Sequence, residues 1–253
     1  MSSAIDRLRR PFQVNDQRLR ALVERHNDAF FSELNVSRED ATARHVAASK
    51  AVGLDPAQTD SVHRLAFAAL AVSGFTARNV LEIGTYLGET SRYLAELFPT
   101  AEIYTVELPG TDPIYRAFHP ELPEQHEATL RAALNRPNIR SLRLNSATLF
   151  AQPLPEFDLI WLDGGHTYPE VAWDHAYSLA KLVPGGWLFS DDVVLPGNPQ
   201  LRRRPDLLDV YETLSYLGER QLEKFRYLLK REEVLSYLTN PKYIAYLQKS
   251  SAA

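Results

Sequence analysis

The stretch Asn79-Val80-Leu81-Glu82-Ile83-Gly84-Thr85-Tyr86-Leu87-Gly88-Glu89-Thr90 decides the fold. Five residues of strand character run into a turn holding two glycines, and an amphipathic helix, Glu89 to Phe98, opens directly after it. Further strand candidates lie at Glu102 to Glu107, Ile139 to Leu144, Phe157 to Asp163 and Trp187 to Asp191, with amphipathic stretches at Pro123 to Asn135 and Pro169 to Leu182 between them. Alternating β and α units predict an α/β fold with a mostly parallel central sheet and helices on both faces. Ligands of such sheets bind beyond the carboxyl ends of the strands. The residues ending each strand are therefore the candidates: Glu82 to Gly84, Glu107, Asn145 with Ser146, Asp163, and Asp191 with Asp192.

Upstream, residues 1–75 read as a helical extension to a domain spanning 76–253. Leu19, Leu22, Val23, Phe30 and Leu34 recur at three- and four-residue steps and predict a helix over Asn15 to Leu34. Ser37 with Asp40 forms a capping-box pattern opening a second helix that runs to about Ala51, with Gly53 as its stop. A third helix, about Thr59 to Val72, ends at Ser73-Gly74. In the tail, Asp206 to Leu217 reads as helix, Lys224 to Arg231 and Lys242 to Gln248 as strands, and Glu232 to Leu238 as a helical insert. Over 253 residues, 45% hydrophobic and 24% charged content is globular, and a formal charge of −4 gives no sign of a nucleic-acid or anionic-membrane partner. Cysteine is absent, which excludes disulfides, thiolate catalysis and Cys-type metal sites. With no leader or membrane-span pattern, the expected setting is cytoplasmic.

Glycines at a strand-to-helix turn let a ligand approach the backbone. A dinucleotide site would want a glycine two residues after Gly84, where this chain has Tyr86, so the turn favours a nucleoside without a pyrophosphate. Glu107 sits where an acid accepts hydrogen bonds from a ribose diol, and Ser146 lies within reach of an adenine edge. The competing reading is a tight turn at Gly84 and Gly88, with Glu107 capping a strand end. At the other end, Asp163-Gly164-Gly165-His166 and Ser190-Asp191-Asp192 close neighbouring strands, so three carboxylates converge. Like charges that close repel unless a cation lies among them, and oxygen ligands suit magnesium, manganese or calcium. His166, three residues beyond Asp163, has the ordinary pKa of a base able to take a proton from a hydroxyl near neutrality. Here the competing readings are an N-cap for Asp192, loop-amide bonds for Asp163 and a helix cap for His166.

Glu82 to Thr90 resembles the first motif of class I S-adenosylmethionine-dependent methyltransferases. Phe157 to His166, Asp174 and Leu182 to Val193 resemble the metal-dependent small-molecule O-methyltransferases of the macrocin, mycinamicin and cephalosporin hydroxylase-like group. The resemblance, over about Asn79 to Val194, implies a Rossmann-like methyltransferase fold and a cytoplasmic enzyme of natural-product biosynthesis. It implies that Glu82, Gly84, Thr85, Gly88, Glu107, Ser146 and Asp163 bind S-adenosylmethionine. Asp163, Asp191 and Asp192 would hold Mg2+ or Mn2+, and His166 would be the general base toward a vicinal-diol or catechol-like hydroxyl of a small molecule.

Other readings stay open: a metal-independent methyltransferase acting on nitrogen or carbon, a non-catalytic nucleoside-binding protein, and, less well supported because of Tyr86, a dehydrogenase. Pro109 to Pro123, with Tyr115 and Phe118, is a candidate lid. Arg202, Arg203 and Arg204 are a candidate anion contact or a solvated basic loop. The N-terminal helices either pack over the site or form a homo-oligomer interface.

Overall fold

The computed structural model describes residues 21–23, 25–57, 61–118, 126–221, 224–232 and 240–250. Seven strands form one sheet: β1 (Asn79–Ile83), β2 (Glu102–Glu107), β3 (Ile139–Arg143), β4 (Phe157–Leu162), β5 (Leu182–Val193), β6 (Arg226–Leu229) and β7 (Tyr243–Gln248). Their order is β3-β2-β1-β4-β5-β7-β6. The first five are parallel, whereas β7 is antiparallel to both β5 and β6. Two antiparallel steps restore direction, so β6 points the same way as β5. The order reverses between β1 and β4, and there the crossovers leave a crevice beyond the strand ends.

Period-two alternation divides the core. Val80, Ile103, Leu159, Trp161, Trp187 and Phe189 face one side, where they share a buried cluster with Phe30, Phe67, Tyr93 and Leu94. Leu81, Val106, Ile160, Leu162 and Leu188 face the other and pack with Tyr177 and Leu179. The first face is covered by α1 (residues 25–33), α2 (Arg38–Ala51), α3 (His63–Val72) and α4 (Glu89–Leu97). The N-terminal helices thus share a core with the sheet. Ser37 caps α2, its hydroxyl accepting from the Asp40 amide at 3.0 Å. Short α5 (Pro113–Phe118) and α6 (His126–Ala133) lie between β2 and β3, α7 (Glu170–Lys181) covers the second face, and α8 (Asp209–Gln221) precedes β6.

Among the described residues no strand lies beyond the outer strand β6. The buried side chain of Asn27 on α1 takes that place: its amide donates to the Leu229 carbonyl at 3.1 Å and its oxygen accepts from the Leu229 N–H at 2.7 Å. Arg226 pairs with Glu33, and Arg38 with Glu232 at 3.0 Å, so the N-terminal helices grip the β6 end of the tail.

Several sequence expectations shift. Strand β5 begins at Leu182, before Pro184-Gly185-Gly186, and continues through Asp192 by way of a bulge. Helix α3 begins at His63 and α8 at Asp209. The expected lid contains α5, and Tyr115 on it is buried against the Arg143 guanidinium rather than presented to a ligand. Most of the expected Glu232 to Leu238 insert, the first residues of the Asn15 helix and the end of the lid lie outside the described residues.

Candidate active site

The end expected to hold the cofactor is built around Gly84. It has φ +101°, and a Cβ there would lie 2.1 Å from the carbonyl oxygen of Asp163. Only glycine allows β1 and β4 to finish this close together. Gly88, at φ +70°, is the N-cap of α4 and makes no side-chain cap; a Cβ would press on Leu134 at 2.8 Å. Both glycines have packing reasons to be there, and they also leave the loop and the first amides of α4 open at the strand-end crevice. The Glu107 carboxylate returns to this loop, accepting from the Tyr86 amide at 2.8 Å and from the Leu108 amide at 2.9 Å.

Glu82 does not line the crevice. It is 1% exposed, and its carboxyl oxygen accepts hydrogen bonds from Ser91 and, at 2.6 Å, from Thr105. Thr85 is buried in the same network, 2.6 Å from Thr105. Burial pushes Glu82 up to about 8 against the pull of its two hydroxyl donors, so the group is mostly neutral at pH 7. Glu82 and Thr85 therefore brace the loop from beneath. Ser146 follows β3 in a 3-10 turn capped by Asn145, and its hydroxyl bonds the Asp174 carboxyl of α7. Burial pushes Asp174 up to about 6, and its Oδ1 has no hydrogen-bond partner.

At the other end, pairing of β4 with β5 finishes at Leu162 opposite Ser190, so Asp163 and Asp191 emerge side by side. In a regular strand Asp191 and Asp192 would face opposite ways. Here two residues of β5 oppose one of β7, and Asp192 adopts φ 56°. This bulge turns both carboxylates toward one point. What occupies that point is an ammonium group. Lys230 Nζ lies 2.6 Å from Asp191 Oδ2 and 2.6 Å from Asp192 Oδ1, and Lys242 Nζ lies 2.5 Å from Asp192 Oδ2. The sequence reading missed both lysines. They flank the β6–β7 connection, and the antiparallel return brings that connection to the carboxyl edge of the sheet.

His166 Nε2 stands 3.6 Å from Asp163 Oδ1, and their side chains are 33% and 36% exposed, so the pair faces an opening. Burial works against the imidazolium, but Asp163, Asp192 and Asp191 outweigh it and raise the His166 pKa. Burial also opposes ionisation of Asp163, yet His166, Asp191 and Lys230 hold it below the ordinary carboxylate range. Asp191 is pushed up to about 7 by burial and by Asp163, against the attraction of Lys230. His63, given no role from sequence, is buried beside this end, stacked on Trp161 at 5.0 Å; burial first, then Arg64, lowers it to about 3 and keeps it neutral.

The donor set does not fit Mg2+ or Mn2+ at Asp163, Asp191 and Asp192. Magnesium asks for near-octahedral oxygen coordination. Asp191 Oδ2 and both oxygens of Asp192 are taken by lysine, and Asp191 Oδ1 alone of that pair is buried without a partner. Among the described residues no group of three or more His, Asp or Glu side chains is arranged to hold a metal ion. Repelling carboxylates demand a cation without specifying which kind, and lysine ammonium groups stand beside two of them here.

Residues 81–193 match the family model described as a methyltransferase domain. Those residues form a methyltransferase domain, and the chain as a whole has the fold of class I methyltransferases. The fold is shared with the O-methyltransferase TomG of Streptomyces achromogenes, solved with S-adenosylmethionine, at 22% identity over 90% of this chain and 99% of that one, TM-score 0.54. It is shared with a Bacillus cereus O-methyltransferase solved with S-adenosylhomocysteine, at 18% identity over 90% and 97%, TM-score 0.54. It is also shared with the N-methyltransferase NodS of Bradyrhizobium japonicum, at 13% identity over 73% and 93%, TM-score 0.51. No curated protein matches the chain in sequence. Among its described residues the chain has no helix long and apolar enough to cross a membrane. Arg204 is paired with Asp206, which favours the solvated-loop reading of the arginine triplet.

Proposed function

We propose that this methyltransferase acts on a hydroxyl of a small molecule, with His166 taking the hydroxyl proton. The observation that carries the reading is the part-exposed Asp163–His166 pair, which sits where β4 meets the Gly84 loop. A proton acceptor is thereby set beside the cofactor loop, as a transfer reaction requires. S-adenosylmethionine, when bound, supplies an electrophilic methyl group on a sulfonium. The chain's own residues would do the rest: Glu107 would accept from the ribose hydroxyls, and the Gly84–Gly88 turn would let the cofactor approach the backbone. Ser146 would lie near the adenine. Asp163 steadies the charge that His166 gains. The acceptor oxygen forms the new bond to the methyl carbon, the carbon–sulfur bond electrons return to sulfur, and the proton stays on His166.

The vicinal-diol preference rested on chelation to a metal, so it is not carried forward. Transfer to nitrogen is the second reading; the lysine pairing favours it, because no metal is then needed to acidify the acceptor. Incubation with methyl-labelled S-adenosylmethionine and a panel of phenols, catechols, sugar alcohols, other natural-product hydroxyls and amines separates the two. The expected product is a labelled methyl ether whose formation is lost in His166→Ala. Labelled amines alone would replace this reading with the second.

A further inference from the structure

We propose that Lys230, backed by Lys242, supplies the positive charge that the strand-end acid cluster needs, so that this methyltransferase carries its cation in its own chain and works without a metal. Three features of the molecule carry this. The first is occupancy: one ammonium donates to Asp191 and Asp192 at 2.6 Å each, and a second holds the remaining Asp192 oxygen at 2.5 Å. The second is burial. The Lys230 side chain is only 12% exposed and that of Asp191 5%, so for a metal to enter, a desolvated ammonium would have to leave carboxylates it touches directly.

The third is that Lys230 is held in place by its backbone. Its N–H donates to the Lys242 carbonyl at 2.9 Å, and its carbonyl accepts from the Val62 amide at 2.8 Å. The preceding Leu229 is bonded on both its N–H and its carbonyl by Asn27. The bulge at Asp191 and Asp192 completes the fit by bringing two consecutive carboxylates to one side of the strand. Lys230 is thus a positioning residue: it fixes the two acids that lie behind Asp163 and His166, and cancels charge that would otherwise favour binding a dication.

The inference rests on the methyl-transfer reading only where activity is measured, and its main test needs no turnover. The full-length protein, freed of metals with a chelator, is titrated with Mn2+ alone while free Mn2+ is followed by electron paramagnetic resonance. The wild type is expected to bind none up to about 1 mM, a range in which even weak oxygen-ligand sites begin to fill. Methyl transfer should be unchanged by chelation. Lys230→Ala and the more nearly isosteric Lys230→Met should each gain one Mn2+ per chain, since the acids are then left without their cation. Stoichiometric Mn2+ on the wild type, with transfer lost on chelation, would overturn the proposal; so would folded variants that gain no Mn2+. If neither variant folds, the wild-type arms decide alone. Calorimetry with S-adenosylhomocysteine keeps the readings apart: its failure to bind would break the methyl-transfer reading while leaving the Mn2+ result standing.

Discussion

The two ends of the crevice are built on opposite principles. At the cofactor end, a loop is set by close backbone approach at Gly84 and braced by a buried, mostly neutral acid, Glu82. At the end proposed to take the acceptor, charge is concentrated: three carboxylates, two ammonium groups and an imidazole lie within one cluster. The first end is assembled from residues close in sequence, while the second draws its cations from the far end of the chain. A site can therefore carry a local signature at one end and a long-range one at the other, and only the first reads easily from a motif.

If the ends are separable in function, His166→Ala should cost about 100-fold or more in kcat and leave S-adenosylhomocysteine binding unchanged by calorimetry. Loss of cofactor binding in that variant would break the comparison. Gly84→Ala tests a point where the ends touch: a Cβ 2.1 Å from a carbonyl oxygen, at φ +101°, should cost about 3 kcal/mol of stability in denaturant unfolding and weaken both binding and turnover. Glu107→Ala should weaken S-adenosylhomocysteine about tenfold, with a smaller change in kcat at saturation.

The acid–base profile sharpens the contrast further. His166 has a raised pKa, so its basic form is populated only above the ordinary value near 6.5, and kcat should climb with pH along a limb lying above that point. In Asp163→Asn the limb should move to lower pH, because a carboxylate that favours the imidazolium is gone. Glu82 gives the smallest and opposite effect. Its folded pKa of about 8 exceeds the usual carboxyl value of 4.5, so the folded state holds a proton the unfolded state releases, and stability falls as pH rises from 4.5 through 8. Glu82→Gln should flatten that fall and raise Tm at pH 9 by about 2–4 °C for each kcal/mol recovered.

Much of the fold was legible because alternating strands and helices impose period-two and 3.6-residue patterns that a single sequence displays. Strands β1 and β2 match their expected spans, and Asp163, Asp191 and Asp192 do meet. The identity of the cation was not legible. Repulsion among carboxylates predicts a positive charge and nothing more, whereas Lys230 becomes visible only once β6 is known to run parallel to β5 with β7 between them. The burial of Glu82 was not legible for a related reason: a motif position says that an acid stands at the strand end but not which side of the loop its side chain takes.

Asn27 carries a consequence for handling the protein. By presenting an amide donor and acceptor to Leu229, it imitates one residue of a neighbouring strand on the outer side of β6. Without it, β6 would offer bare peptide groups to any extended chain, the template from which intermolecular sheets grow. One asparagine on a helix thus occupies peptide groups that an intermolecular strand would otherwise need, far along the chain from the strand it covers.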